Sequence, residues 1–152
     1  GTTAIVMLDL DRFKEINDQY GHDWGDDYLQ ICARFLKIFD NDKGITARRS
    51  GDEFCICFHG WESKEAVLGA LDEFYSLVEE KKILFPDMST RSLSISSGLA
   101  WYEGTDGDTA AQDGALQAES VVQEYAALMR KADEVLYRAK KEGRGRYMVF
   151  GE

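Results

Sequence analysis

The sequence predicts an α+β fold, a central mixed or antiparallel β-sheet flanked by helices, and three observations carry that expectation. Short apolar runs alternate with longer segments whose apolar residues recur at helical spacing, in the order β-α-α-β-β-α-β-α-β. Two of the runs, Ile45 to Arg48 and Phe54 to Phe58, flank Ser50-Gly51-Asp52, turn chemistry that makes them an antiparallel hairpin. The 152 residues contain no internal repeat and read as a single domain, 1–152. A chain of that size buries about two-thirds of its unfolded surface.

The first strand runs from about Thr3 to Asp9, with Ala4 to Leu8 apolar without a break. A short helix from about Arg12 to Gln19 follows, then a loop from Tyr20 to Gly25. The next helix spans Gly25 to Phe39, because Leu29, Cys32, Phe35, Leu36 and Phe39 fit a 3.6-residue period. Asp26 and Asp27 stand in its first turn, where the helix dipole favours acids. The connection Asp40 to Gly44 leads into the hairpin. Leu68, Leu71, Phe74, Tyr75 and Val78 then mark a third long helix, from about Ser63 to Lys81. Pro86, the only proline, marks the loop after it. A fourth strand spans about Ser92 to Tyr102. Glu103 to Gln117, rich in Gly, Asp, Ala and Gln, reads as an exposed loop with at most a weak helix, at the edge of the sheet opposite the hairpin turn. The last helix runs from about Glu119 to Glu142, with Gly143 as its stop, and Arg146 to Phe150 forms a closing strand.

Composition narrows the function classes. The chain is 44% hydrophobic and 30% charged, with no apolar run near the length of a membrane span and no signal-peptide pattern. A formal net charge of −10 argues against nucleic acid or an anionic membrane as partner. Cys32, Cys55 and Cys57 are an odd set without zinc spacing, and read as buried free thiols in a reducing cytoplasm. The strand-like start at Thr3 suggests a domain taken from a longer protein.

Two acidic stretches point to chemistry. Taken alone, the Asp52-Glu53 turn is a hairpin with solvated acids at its tip, and Asp9 is either a helix cap or a ligand. Topology bears on both. A right-handed strand–helix–strand connection leaves the first and second strands parallel, so the end of one and the turn after the other share an edge. Asp9, Asp52 and Glu53 then converge, and three carboxylates from two turns suit a hard divalent cation such as Mg²⁺. The last helix ends at the same edge. Its five cations between Arg138 and Arg146 suit a helix C-terminus by themselves. Opposite a bound metal, Lys140 and Arg144 would also neutralise the outer oxygens of a triphosphate.

With these residues in view the chain resembles the GGDEF domain, the catalytic domain of diguanylate cyclases, from Ala4 to Phe150. The first block is Asp9-Leu10-Asp11 with Phe13-Lys14, Asn17-Asp18, Gly21-His22 and Gly25-Asp26. The signature turn is Ser50-Gly51-Asp52-Glu53-Phe54, and the closing block is Ala132-Asp133, Leu136-Tyr137, Ala139-Lys140 and Gly143-Arg144. The resemblance implies a nucleotidyl-cyclase or polymerase-palm-like sheet with a ferredoxin-like core, and half a site for GTP. Asp9, Asp52, Glu53 and the carbonyl of Leu10 would hold one or two Mg²⁺, or Mn²⁺ in its place. Asn17 and Asp26 would read the guanine edge. Backbone N–H groups around Phe13 and Lys14 would cradle phosphates, Gly51 in the turn would bind substrate, and Lys140 and Arg144 would grip the terminal phosphates. Asp52 or Glu53 would take the proton of the attacking 3′-hydroxyl. Two GTP would be joined into cyclic di-GMP by a transient homodimer in the cytoplasm, with an upstream sensory or dimerising domain supplying proximity.

The pattern also departs from the family. Ser50 replaces the first glycine of the signature, and a Cβ there would crowd the nucleotide or strain the turn. The inhibitory product site would place Arg at Asn41 and Asp at Gly44, and both are absent. The segment Glu103 to Gln117 is longer than the family's usual link. The expected activity is therefore a diguanylate cyclase. The alternatives are a non-catalytic module that binds GTP or signals by protein contact, and a polymerase-like palm, which would need a basic track that −10 argues against.

Overall fold

Strand β1 (Thr2–Leu10) is buried along nearly its whole length, and the rest of the sheet is built outward from its two sides. The computed structural model describes residues 1–103 and 114–152. After β1 come α1 (Phe13–Tyr20), α2 (His22–Leu36) and a single 3₁₀ turn (Lys37–Phe39). The hairpin β2 (Gly44–Ser50) and β3 (Glu53–Trp61) leads to α3 (Lys64–Glu80), a small hairpin of β4 (Lys82–Leu84) and β5 (Thr90–Ser92), and β6 (Ile95–Trp101). Helix α4 (Gly114–Lys141) and β7 (Tyr147–Val149) complete the chain.

The main sheet has the order β2-β3-β1-β6-β7, antiparallel except for the parallel pair β6/β7. β1 and β2 run in the same direction as expected, with β3 returning between them. One face packs against α2 and α3 through Val6, Leu8, Ile56, Phe58, Leu71 and Phe74. The Phe39 ring meets Phe58 edge-on at 5.3 Å between centroids. The other face packs under α4, with Ile5, Met7 and Ala100 against Leu128, Ala132 and Leu136. Cover on both faces explains why Ala4 to Leu8 is an unbroken apolar run rather than an alternation. Each large side chain so buried stabilises the fold by about 1.5–3 kcal/mol.

Three boundaries differ from the sequence expectation. The loop Tyr20 to Gly25 shrinks to Gly21, whose φ of 91° reverses the chain in one residue, so α2 starts at His22. Asp23 rather than Asp26 therefore occupies the first turn of α2, and the dipole no longer accounts for Asp26. The single fourth strand is split. Around Pro86 the chain turns back, Asp87 accepting from the Ser89 N–H at 3.0 Å, and β5 pairs with β4 before β6 begins at Ile95. Residues 114–117 of the expected loop belong to α4, while residues 104–113 lie outside the described part. β6 ends at Trp101, paired with Ala4, at the edge opposite the hairpin turn. Among the described residues, no helix is long and apolar enough to cross a membrane.

Candidate active site

Three segments meet at one edge of the sheet: the end of β1, the β2–β3 turn and the last turn of α4. Asp9 sits directly across from Glu53 on β3 and from Ser96 on β6. The Leu10 N–H donates to the Asp52 carbonyl at 3.2 Å, tying the turn to β1. Asp9 is buried, with Oδ2 accepting from Lys140 Nζ, while Oδ1 has no hydrogen-bond partner among the described residues. Burial raises the Asp9 pKa above the usual aspartate range; the Lys140 hydrogen bond opposes this, and the charges of Asp52 and Glu53 add to the rise. Asp9, Glu53 and Lys140 are thus brought together, with Asp52 tied to the same edge through its backbone, while Arg144 makes no ion pair with these acids among the described residues.

Within the turn, the left-handed backbone falls on Gly51 alone, at φ 47°. Ser50 is absent from the positive-φ residues, pairs with Glu53 at the end of the ladder and exposes its side chain. A Cβ at this position therefore brings no backbone strain. The Gly51 carbonyl accepts from Arg48 Nε at 2.8 Å.

Just past that same end of α4 the backbone is held by an acid without a role in the sequence reading. Asp11 is buried and accepts from Ser94 Oγ and Ser96 Oγ, both at 2.6 Å, and from the Gly145 N–H at 3.0 Å. It fixes the turn that carries Arg144, itself exposed and left-handed at φ 62°. Arg49 was also missed. It is the extra residue of a bulge between Arg48 and Ser50, and its Nη1 reaches both carboxylate oxygens of Asp133, at 3.1 and 3.0 Å, and Glu53 at 3.8 Å. Short-range patterning gives no sign of a one-residue bulge.

Helix α1 opens at Phe13 without a side-chain cap, so its first N–H groups, including those of Phe13 and Lys14, have no side-chain acceptor there. The Lys14 ammonium lies 3.5 Å from Asp18 on the exposed side of the helix. Asn17 packs against Gly25, and its Oδ1 is buried with no partner among the described residues. Asp26 is exposed at a cleft of about 500 Å³ between α2 and β2, lined also by Leu29, Ala33, Thr46, Arg48 and Phe54. Asn17 is not in that lining; it lies beside the cleft, against the residue preceding Asp26.

Where the family's inhibitory site would fall, Asn41 and Gly44 form a short turn of their own. Asn41 Oδ1 accepts from the Lys43 N–H at 2.7 Å, and the Asn41 and Gly44 backbones bond to each other. A Cβ at Gly44 would overlap the Phe39 carbonyl oxygen.

Among the described residues, no three His, Cys, Asp or Glu side chains are gathered into a ready cage for a metal. The donor set still fits a hard divalent cation. Asp9, Asp52 and Glu53 supply oxygen only, and one buried Asp9 oxygen lacks a partner that a cation would give it.

The family model described as "Diguanylate cyclase, GGDEF domain" matches residues 1–146. Among curated proteins, the chain is similar to the probable diguanylate cyclase DgcF of Escherichia coli (strain K12), 32% identical over 156 residues, covering 98% of this chain and 44% of DgcF. It is 31% identical to diguanylate cyclase A of Treponema denticola over 145 residues, covering 95% of this chain and 34% of that protein. The chain thus spans less than half the length of these relatives. Among solved structures, the GGDEF domain of PA1120 (YfiN or TpbB) from Pseudomonas aeruginosa has a TM-score of 0.76 at 29% identity, covering 99% of this chain and 83% of that one. The GGDEF domain of DgcB from Caulobacter crescentus, solved in complex with c-di-GMP, has a TM-score of 0.77 at 25% identity, covering 99% and 79%. The sheet order, the acidic edge and a family match over nearly the whole length lead to one assignment: this chain belongs to the GGDEF domain family.

Proposed function

We propose that the chain is the catalytic domain of a diguanylate cyclase and joins two GTP into cyclic di-GMP with release of two pyrophosphates. The observation that carries this reading is the pairing of Asp9 with Glu53 across β1 and β3, with the Lys140 ammonium on Asp9. It supports the reading because acids suited to a metal and a cation suited to phosphate share one sheet edge.

Asp9, Asp52, Glu53 and the Leu10 carbonyl would hold Mg²⁺ or Mn²⁺. When bound, the metal lowers the pKa of the attacking hydroxyl and offsets charge at phosphorus. The chain's own residues do the rest. Asn17 and Asp26 orient the guanine, and the open N–H groups at Phe13 and Lys14 hold phosphate oxygens. Gly51, with no side chain, leaves the turn open to close approach. In each half-reaction the 3′-oxygen of one GTP bonds to the α-phosphorus of the other, and the bond from that phosphorus to the pyrophosphate oxygen breaks. The hydroxyl proton leaves toward the acidic turn, where Asp52 and Glu53 are the two acceptors. Lys140 and Arg144 hold the charge that accumulates on the pyrophosphate.

One chain provides one such set of groups, and the reaction consumes two GTP. Two chains therefore face each other across a twofold axis, each presenting its turn to the other's nucleotide. A segment outside these residues that pairs two chains would raise their effective concentration. GTP, Mg²⁺ and the free thiols are all at home in the cytoplasm.

The test is incubation of the chain with GTP and MgCl₂, with products separated by chromatography. Cyclic di-GMP should form, at a specific activity that rises with protein concentration and rises further when a coiled coil is fused before Gly1. GTP bound but never turned over, even in the fused dimer, would leave a binding module. Specific activity that stayed flat over about a hundredfold dilution of a demonstrated monomer would refute the two-chain mechanism.

A further inference from the structure

We infer that Lys140 is the resident counter-cation of Asp9 and that metal and lysine exchange there, so that loading the metal releases the ammonium to the nucleotide's phosphates. This rests on the metal assignment proposed above and adds a step that assignment does not contain.

The geometry points to exchange rather than simple coexistence. Asp9 has two oxygens: Oδ2 is taken by Lys140 Nζ, and Oδ1 is buried without a partner among the described residues. A carboxylate this buried is held by a charged donor, and Lys140 supplies it on Oδ2. Lys140 is the ion-pair partner that Asp9 has among the described residues. A divalent cation on Asp9 would bring like charge against that ammonium, and the two cannot share the carboxylate at contact distance without strong repulsion. Glu53 is placed similarly, with Arg49 at 3.8 Å. Both carboxylates that face each other across β1 and β3 therefore start out beside protein cations, which agrees with the absence of a preformed cage among the described residues.

Lysine suits this exchange. Its flexible four-carbon stem lets a compact ammonium swing between acceptors, whereas a planar guanidinium would hold a fixed pair. The Lys140 side chain is 34% exposed while Asp9 is 8% exposed, so the acid is fixed and the base has somewhere to go. Metal and nucleotide would then bind with positive coupling, each favouring the lysine position that the other needs.

The test measures Mn²⁺ binding by electron paramagnetic resonance of the free ion, at pH 8, first without nucleotide and then with the α,β-methylene analogue of GTP. Without nucleotide, Lys140→Met should tighten Mn²⁺ binding by roughly tenfold or more, since a contact-distance cation has been removed. Lys140→Gln keeps a donor to Asp9 without the charge, stands in if Lys140→Met unfolds, and should tighten binding in the same direction. Lys141→Met removes the same charge one residue away, where the ammonium lies over the Tyr137 ring, and should change little. In Lys140→Met the analogue should enhance Mn²⁺ affinity less than in the unsubstituted chain. Unchanged or weaker Mn²⁺ binding in both Lys140 variants would overturn the exchange, as would equal tightening in Lys141→Met. Asp9→Asn separates the two levels. If it abolishes Mn²⁺ binding while the Lys140 variants do nothing, the metal site stands and the exchange fails; if Mn²⁺ still binds to Asp9→Asn, both fall.

Discussion

Gly25→Ala is the substitution whose effect follows most directly from the structure, because it replaces no proposed binding residue yet displaces one. A Cβ on Gly25 would overlap Asn17 Oδ1, lie 2.9 Å from Asn17 Cγ and stand 3.4 Å from Phe13 Cζ. Gly25, on α2, is buried against α1, so the helices have little room to part and the Asn17 amide must leave its rotamer. An amide that reads a guanine edge makes up to two hydrogen bonds, each worth about 0.5–1.5 kcal/mol net. Their loss amounts to about 1–3 kcal/mol, or roughly 5- to 150-fold in affinity. Calorimetric titration with the α,β-methylene analogue of GTP should show that loss. KM for GTP should rise to match, with kcat little changed, because the contact is the same in ground and transition states. In an Asn17→Ala background there is no amide for the methyl to meet, so adding Gly25→Ala should cost less than about 0.5 kcal/mol of further affinity. Unaltered binding in Gly25→Ala would refute the placement of Asn17 as guanine reader. An equal loss with and without the Asn17 amide would do the same.

Other expectations are simpler to state. Glu53→Gln should lower the rate about a thousandfold through lost transition-state stabilisation of several kcal/mol. Its melting temperature should barely move, since the ion pair to Arg49, at 3.8 Å between half-exposed side chains, is worth under about 1 kcal/mol; near-full activity would remove Glu53 from the metal site. Asp11→Ala leaves two serine hydroxyls and the Gly145 N–H without their acceptor, and urea unfolding should register a loss of about 3 kcal/mol. A change below about 1 kcal/mol would mean that water replaces the carboxylate there. Calorimetry should find no tight cyclic di-GMP binding at the Asn41–Gly44 turn, and Asn41→Arg with Gly44→Asp should not create it, because any Cβ at residue 44 meets the Phe39 carbonyl. Low-micromolar binding lost on Asn41→Ala would contradict this.

What could be read from sequence was what strand direction propagates. Once Ala4 to Leu8 and the Ser50 to Phe54 turn are assigned, polarity alone brings Asp9 beside Glu53, and the direction of the last helix brings Lys140 to them. Distant contacts that no strand or helix direction fixes were not legible. Asp11 is two residues from Asp9, yet its partners Ser94, Ser96 and Gly145 lie more than eighty residues away and carry no motif of their own. The Arg49–Asp133 pair depends on a bulge that shifts one residue out of register, and register is a tertiary fact. The β4–β5 hairpin escaped because its turn, Pro86 to Ser89, has no glycine and takes its left-handed residue at Met88, φ 71°. Ser50 shows the opposite error. The motif suggests a residue that needs glycine, but the backbone demand sits wholly on Gly51.

The charge of −10 also takes on a different meaning once it is located. The three segments that meet at the sheet edge carry four acids in the site network, Asp9, Asp52, Glu53 and Asp133. Three bases, Arg48, Arg49 and Lys140, are bonded among them, and Arg144 follows the end of α4 by three residues. The edge that two chains would bring together is therefore close to neutral, and the excess acid lies elsewhere on the surface. Charges more than about 8–10 Å from the junction are largely screened at physiological ionic strength. Repulsion between two such chains then acts mainly on their distant approach rather than on the docked pair. A tether acts on that same step by raising local concentration. The acidity of the chain and the proposed need for an external dimerising segment are thus two sides of one arrangement: weak encounter between free domains, with no large electrostatic penalty once the two edges meet.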